Sequence, residues 1–168
     1  GHLNFDRAEP EQPTDNVAEL GRSELIVIGE PEQPDTDAWY NMGLDLEELE
    51  PERAPDAYRQ AIELDPENAD AHVNLGRLCQ IGGDLRSAKR HYEQALQTAP
   101  GHQLAAYNLG TVFDELEELE RAAGYYRDAK DVPDAHYNLA RISELMGDEL
   151  AARRYMRSYR DLLDGMGR

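Results

Sequence analysis

Four short segments of the chain repeat one another at nearly constant spacing. Each runs through an asparagine and a large apolar residue to a small residue, namely Gly43, Gly76, Gly110 and Ala140. Successive members are separated by 33, 34 and 30 positions. A tandem period of this length is typical of solenoids, in which each unit packs only against its neighbours. The period therefore predicts an elongated array that binds other chains rather than transforming small molecules.

A second pattern follows each of the first three segments. The residues are Ala54, Tyr58, Ala61 and Pro66; then Ala88, Tyr92, Ala95 and Pro100; then Ala122, Tyr126, Ala129 and Pro133. Small residues allow two helices to approach closely, and a tyrosine fills the space beside them. A proline ends a helix because it lacks an N–H and its ring clashes with the preceding turn. Each unit is therefore predicted to be a pair of packed helices.

Together the two patterns resemble the tetratricopeptide repeat family, whose consensus is W-x2-L-G-x2-Y, then A-x3-F, then P. The resemblance covers residues 36–163 and implies an all-α, right-handed solenoid of four helix-turn-helix repeats. We expect these repeats at about 36–68, 69–102, 103–133 and 134–163, followed by a short tail at 164–168. The first repeat contains Pro55, which is acceptable only near the start of its second helix.

The fourth repeat departs from the regular pattern. Only six residues separate Ala129 from Ala135, whereas ten separate the corresponding alanines of the earlier repeats. Four missing residues amount to about one helical turn. We therefore expect the second helix of repeat three to end early and repeat four to be degenerate and displaced from a regular superhelix. Ser143 also stands where a large apolar residue is usual.

Residues 1–35 differ in kind from the repeats. They contain several prolines and nine acidic residues against Arg7 and Arg22. This composition predicts an acidic extension outside the repeat array. Within it, residues 25–28 form one short apolar, β-branched run. An isolated strand is unstable, so this run either docks on the array or a neighbouring molecule or remains disordered.

The charge of the whole chain restricts the class of partner. The formal net charge is −18, and the only lysines are Lys89 and Lys130. Phosphates would be repelled, so the composition argues against nucleic acid. We find no secretory h-region or membrane span, and we expect no membrane partner and a cytoplasmic location. The single cysteine, Cys79, falls at a buried helical position and is expected to pack in the core.

The family resemblance implies that the first helix of each repeat lines a concave face. The candidate peptide-binding residues are Tyr40, Asn41 and Leu44 in repeat one, Val73, Asn74 and Arg77 in repeat two, Tyr107, Asn108 and Thr111 in repeat three, and Tyr137, Asn138 and Arg141 in repeat four. An asparagine side chain offers an acceptor and a donor, so it pairs with one peptide unit of an extended chain. The row is similar to the asparagine ladder of O-linked N-acetylglucosamine transferases. The alternative is that these asparagines are inherited consensus and that the tyrosines pack repeat on repeat.

The sequence departs from the members of the family that bind chaperones. Those members use a clamp of two lysines, an arginine and two asparagines, and here the matching positions include Tyr40, Leu44 and Leu104. Recognition of a C-terminal carboxylate is therefore not expected. The acidic and basic groups along the groove are mixed, so we expect a neutral to mildly basic extended segment as the partner.

The chain shows no motif for catalysis. His72 and His136 occupy the position of Trp39 in repeat one, which is a packing position. There is no glycine-rich phosphate loop, nucleophile elbow or paired-histidine motif. We predict that the protein is not an enzyme, has no catalytic residues, and uses no cofactor or metal.

The last helix combines a basic face with an apolar stripe. The basic residues are Arg153, Arg154, Arg157 and Arg160, and the stripe contains Tyr155, Tyr159, Leu162 and Met166. A stripe without a following repeat would be left uncovered. It is therefore a candidate surface for self-association, for example in a homodimer.

Three functional hypotheses follow from the sequence. The first is a non-catalytic protein-interaction scaffold that binds an extended peptide in its groove. The second is a self-assembly module whose groove or C-terminal helix is occupied by its own or a sister chain's N-terminal segment. The third rests on a resemblance to the repeat arrays of bacterial regulators of the MerR type, whose DNA-reading element would lie outside residues 1–168.

Overall fold

The computed structural model describes residues 32–167, and within them every regular element is helical. The eight α-helices are α1 (Thr36–Leu49), α2 (Ala54–Leu64), α3 (Ala69–Ile81), α4 (Leu85–Thr98), α5 (Gln103–Glu115), α6 (Leu119–Asp128), α7 (Pro133–Leu145) and α8 (Glu149–Met166). A single 3₁₀ turn, Pro51–Arg53, leads into α2. The predicted series of four helix pairs is confirmed. The apolar run at residues 25–28 lies outside the described residues.

Side-chain hydrogen bonds cap the starts of five of these eight helices. Asp35 accepts a hydrogen bond from Ala38 N at the start of α1, and Asn68 accepts one from Ala71 N at the start of α3. Such caps satisfy backbone N–H groups that have no partner within the helix. The Asn68 amide also donates to Thr36 Oγ1, which in turn donates to Ala61 O. The cap of repeat two is thereby tied to both helices of repeat one.

The signature glycines of repeats one to three each face a tyrosine of the second helix. A Cβ atom on Gly76 would lie 2.7 Å from a ring carbon of Tyr92, and one on Gly110 would lie 2.7 Å from the ring of Tyr126. Real Cβ contacts are essentially never this short. Glycine therefore allows the two helices to pack at this distance, and the tyrosine rings are no more than 1% exposed.

Repeat four is closed differently. Ala140 replaces the glycine and Met156 replaces the tyrosine. In α8 only Ala151 and Ala152 are buried. The preceding helix, α6, has ten residues whereas α4 has fourteen, so it ends early as the spacing predicts. The displacement of repeat four from a regular superhelix stays a prediction.

Between residues 32 and 167, no helix is both long enough and hydrophobic enough to cross a lipid bilayer.

Candidate functional site

The first helices of the repeats form one layer, and their side chains bond across repeat boundaries. We call α1, α3, α5 and α7 the inner layer and α2, α4, α6 and α8 the outer layer. Hydrogen bonds join α1 to α3, α3 to α5 and α5 to α7. Within residues 32–167 no hydrogen bond joins two outer-layer helices. The inner layer therefore makes the side-chain hydrogen bonds between neighbouring repeats, and its place on a concave face stays a prediction.

Two of the four predicted asparagines contact a tyrosine of the preceding repeat. Asn74 Nδ2 donates to the hydroxyl of Tyr40 at 3.3 Å. Burial and Asp70 raise the pKa of Tyr40, and the hydrogen bond from Asn74 partly offsets that rise. Asn138 acts on Tyr107 in the same sense, because its side-chain hydrogen bond lowers a pKa that burial raises. These amides therefore already use part of their bonding capacity within the protein.

Asn108 stands in a different environment. The corresponding residue of the preceding repeat is Val73, which is 2% exposed and has no hydroxyl. The Asn108 Nδ2 atom is buried and has no hydrogen-bond partner among residues 32–167. A buried donor without a partner costs about 1–3 kcal/mol. The Asn108 side chain as a whole is half-buried, whereas Asn41, in the first repeat, is exposed.

In repeats two to four, the residue three positions after the asparagine forms a side-chain hydrogen bond with the preceding repeat. Arg77 Nη2 donates to both carboxylate oxygens of Glu47 at 2.5 Å. Arg141 Nη2 donates to one carboxylate oxygen of Asp114, Oδ2. Thr111 Oγ1 accepts from Gln80 Nε2 at 2.9 Å. The predicted binding residues Arg77, Thr111 and Arg141 therefore also join neighbouring repeats.

Glu47, Gln80 and Asp114, which bind these three residues, also accept hydrogen bonds from the buried tyrosines. Tyr92 Oη donates to Gln80 Oε1 at 2.9 Å. Tyr126 Oη donates to Asp114 Oδ2 at 3.0 Å, and Tyr58 Oη donates to Glu47 Oε1 at 2.5 Å. Burial and the adjacent carboxylate raise the pKa of Tyr126, so the hydroxyl stays protonated and remains a donor. In repeats one to three, a polar chain thus runs from the core to the inner layer.

Sequence reasoning missed this chain of contacts. Its signal is the residue four positions after each signature glycine, which is Glu47, Gln80 or Asp114. Each of these side chains accepts a hydrogen bond from a buried tyrosine. In the next repeat, Arg77 and Arg141 donate to Glu47 and Asp114, whereas Thr111 accepts from Gln80. This pairing becomes visible in the sequence only when the fourth position after the glycine of one repeat is compared with the first position after the small residue of the next repeat.

The predicted tyrosines of the groove pack on the outer layer. The ring centroids of Tyr40 and Tyr58 are 5.9 Å apart, and those of Tyr107 and Tyr126 are 5.7 Å apart. Tyr137 packs on Tyr159 at 5.6 Å but remains 50% exposed. Leu44 is 41% exposed. Apolar contact surface on the concave face is therefore offered at the two ends of the row.

A histidine pair joins α3 to α4. His72 Nδ1 lies 3.1 Å from His91 Nδ1, and His72 Nε2 lies 3.0 Å from Pro66 O. Because the carbonyl only accepts, His72 donates from Nε2 and its Nδ1 accepts from His91 when both rings are neutral. Burial lowers the pKa of His72, and burial together with the His72 charge lowers the pKa of His91 to about 4. The pair packs as neutral rings.

The stripe predicted for self-association is divided by the fold. Tyr155 packs on His136, with ring centroids 6.3 Å apart, and Tyr159 packs on Tyr137. Leu162 lines a cavity of about 330 Å³ with Lys130 and His136. Met166 is 73% exposed. Two of the four residues therefore face α7.

The other side of α8 carries a larger cavity. It has a volume of about 660 Å³, and its walls include Glu144, Ala152, Arg153, Met156, Arg157 and Arg160. No element of residues 32–167 covers this side. It combines apolar contact with guanidinium groups, so it is the part of α8 that faces outward.

These features define a helical-repeat protein with a polar inner layer. A family model described as "TPR repeat" matches residues 52–80, and one described as "Tetratricopeptide repeat" matches residues 82–136. The chain belongs to the tetratricopeptide repeat family. A search of curated protein sequences gives no significant match.

Solved structures of MamA share this fold. A crystal structure of MamA is 18% identical, covers 79% of this chain and 80% of its own chain, and gives a TM-score of 0.69. The MamA fragment 41-end from Desulfovibrio magneticus RS-1 is 22% identical, with coverage of 78% and 77% and a TM-score of 0.65. A double mutant of RS-1 MamA is also 22% identical, with coverage of 80% and 79% and a TM-score of 0.67. At these identities the likeness concerns the fold.

Proposed function

We propose that the protein is a non-catalytic interaction scaffold that binds an extended, neutral to basic peptide segment along its inner layer. The observation that carries this proposal is the asparagine row itself, in which Asn41 is exposed and Asn74, Asn108 and Asn138 are half-buried. An amide of this kind supplies a donor and an acceptor to one peptide unit of a bound chain. Hydrogen bonding to the backbone of a bound peptide does not require a particular side-chain sequence in that peptide.

The ends of the row support the proposal. Leu44 and Tyr137 are each exposed enough to contact a ligand side chain. Tyrosine supplies contact area at low cost in conformational entropy. Arg77 and Arg141 are held by Glu47 and Asp114, so we assign them to the wall of the groove rather than to direct contacts.

The test compares affinity capture by the wild-type chain and by the Asn74→Ala, Asn108→Ala double variant. The matched control is the Gln60→Ala, Gln97→Ala double variant, which removes two exposed amides from α2 and α4 in the outer layer. We expect proteins captured by the wild type and the control to be lost with the inner-layer variant. Equal capture by all three chains would contradict the proposal.

Self-association through the outward side of α8 is a second candidate. It is favoured by the cavity beside Met156, whose walls carry Arg153, Arg157 and Arg160. Residues 1–35 carry nine acids against two arginines, so the same segment of a sister chain matches this surface in charge. Sedimentation velocity of the Arg157→Glu, Arg160→Glu variant tests this candidate. A mass equal to that of the wild type at every concentration would exclude it.

A further inference from the structure

The two layers of the array differ in charge. The inner-layer helices contain nine aspartates and glutamates against two arginines, a net formal charge of −7. The outer-layer helices contain eight acids against ten lysines and arginines, a net formal charge of +2. The negative charge of the helices is therefore concentrated in the inner layer.

The two inner arginines do not offset this charge toward a ligand. Arg77 is bound by both oxygens of Glu47, and Arg141 is bound by Asp114. Each forms its ion pair across a repeat boundary, with its guanidinium group committed to a carboxylate. A ligand in the groove therefore meets no uncommitted cation on the inner helices.

Five of the seven remaining carboxylates lie at the two edges of the row of asparagines, and the other two are Asp45 and Glu144. One edge is formed by the first turns of the helices and contains Asp37, Asp70 and Asp134, while the other is formed by the last turns and contains Glu48 and Glu115. Eleven residues of α-helix separate the two edges, a distance of about 16 Å. The asparagines stand between them.

These carboxylates are mostly uncompensated within the protein. Asp37 and Asp134 are exposed and form no ion pair with any residue of 32–167. Glu115 accepts from the neutral Gln80 amide at 2.6 Å, which leaves its charge unbalanced. Asp70 accepts from His102 Nε2 at 2.8 Å. Carboxylates at both edges of the groove therefore remain available for cations.

From this arrangement we infer that the occupant of the groove is a lysine- and arginine-rich extended polypeptide segment. The inference rests on the proposed function, and it names the chemical class of the partner. Successive side chains of an extended chain point to opposite sides. Asn108 and its neighbours hold the backbone, and basic side chains on alternate positions reach the two acidic edges.

The same charge distribution separates the groove from the N-terminal segment. Residues 1–35 carry nine acids, and like charges repel one another. The groove therefore selects against this segment, whether it comes from the same chain or from a sister chain. Self-association, where it occurs, uses the basic side of α8.

The test is selection of a random dodecapeptide library, displayed on phage, against the full chain. The charge variant is Asp37→Asn, Asp134→Asn in the inner layer. The matched control is Glu63→Gln, Asp164→Asn, which removes the same charge from exposed positions of α2 and α8. We expect enriched peptides to contain more lysine and arginine than the starting library. Their affinity falls about three- to tenfold in the inner-layer variant and less than about twofold in the control.

Two other outcomes are distinguishable. Enriched peptides that are neutral or acidic, and whose binding is lost in the Asn74→Ala, Asn108→Ala variant, would overturn the basic partner and leave the peptide groove in place. An absence of enrichment, or enriched peptides that ignore the two asparagines, would overturn the proposed function itself. Equal losses in both charge variants would attribute binding to overall charge and would also overturn the inference.

Discussion

Repeat two and repeat four are built from the same helix pair, yet they differ at three equivalent positions. Repeat two has Gly76 against a fully buried Tyr92, and repeat four has Ala140 and Met156. His72 bonds to His91, whereas the Nδ1 atom of His136, beside Tyr155, is buried and has no hydrogen-bond partner within residues 32–167. The small residue and the tyrosine that faces it therefore determine how closely the two helices pack. Repeat four, the last of the array, tolerates looser packing.

The largest expected difference between the two repeats comes from truncating the residue that fills the helix pair. Tyr92→Ala removes a fully buried ring and is expected to lower the free energy of unfolding by about 3–5 kcal/mol. Met156→Ala truncates a half-buried side chain and should cost about 1 kcal/mol. Urea denaturation followed by circular dichroism measures both. Equal losses would show that repeat four is as tightly packed as repeat two.

The histidine pair of repeat two predicts a dependence of stability on pH. The pKa of His91 in the folded protein is about 4, below the unfolded value of about 6.5. Between these two pH values the folded state therefore binds fewer protons than the unfolded state. The contribution of the neutral His91 ring to the free energy of unfolding is fully present above pH 6.5 and is lost as the pH falls toward 4. The loss amounts to about 3 kcal/mol at most. Arg90, Arg59 and Asp84 are the charged groups that act on the ring.

The control for this pH effect is His91→Asn, which keeps a donor for His72 Nδ1 but does not titrate. We expect the slope of unfolding free energy between pH 6.5 and 4 to be shallower in this variant than in the wild type. Thermal melts across that range measure it. Parallel curves for the two proteins would remove the histidine pair as the cause.

Exchanging glycine and alanine at the equivalent positions Gly76 and Ala140 tests the same difference in packing between repeats two and four. Gly76→Ala places a Cβ against Tyr92 and should cost about 1–3 kcal/mol through overpacking, less the roughly 1 kcal/mol by which alanine favours a helix over glycine. Ala140→Gly is expected to cost about 1 kcal/mol because it loses helix propensity alone. Chemical denaturation measures both changes. A stabilised Gly76→Ala variant would mean that the tyrosine ring moves aside at little cost.

The smallest expected effects concern the asparagines. Asn74→Ala loses the hydrogen bond to Tyr40 and should cost about 0.5–1 kcal/mol. Asn108→Ala removes a buried donor that has no partner, so it should be neutral or slightly stabilising. Differential scanning calorimetry compares the two single variants. A larger loss at Asn108 than at Asn74 would show that Asn108 is structural.

The helix pairs could be predicted from the sequence because their determinants are local. The spacing from each glycine to its tyrosine specifies one packed unit, and the six residues between Ala129 and Ala135 correctly indicated that α6 ends early. Both predictions depend on contacts within one repeat or across one turn.

The contacts of the candidate site could be predicted only in part. Arg77 and Arg141 were placed on the inner layer, but their pairing with Glu47 and Asp114 depends on the rotation of one repeat against the next. That rotation comes from packing between helices distant in the sequence. The inward direction of Tyr155 and Tyr159 was missed for a related reason, because two neighbouring stripes on one helix look alike until the partner helix is placed.

The central claim is that the inner layer binds an extended chain and that its asparagines serve binding more than folding. The most direct measurement is calorimetric titration of a peptide selected on the wild-type chain into the wild type and into the Asn74→Ala, Asn108→Ala variant, with a thermal melt of each. We predict an affinity at least about tenfold weaker in the variant, with a melting temperature within about 4 °C of the wild type. Unchanged affinity together with a markedly lower melting temperature would contradict the claim.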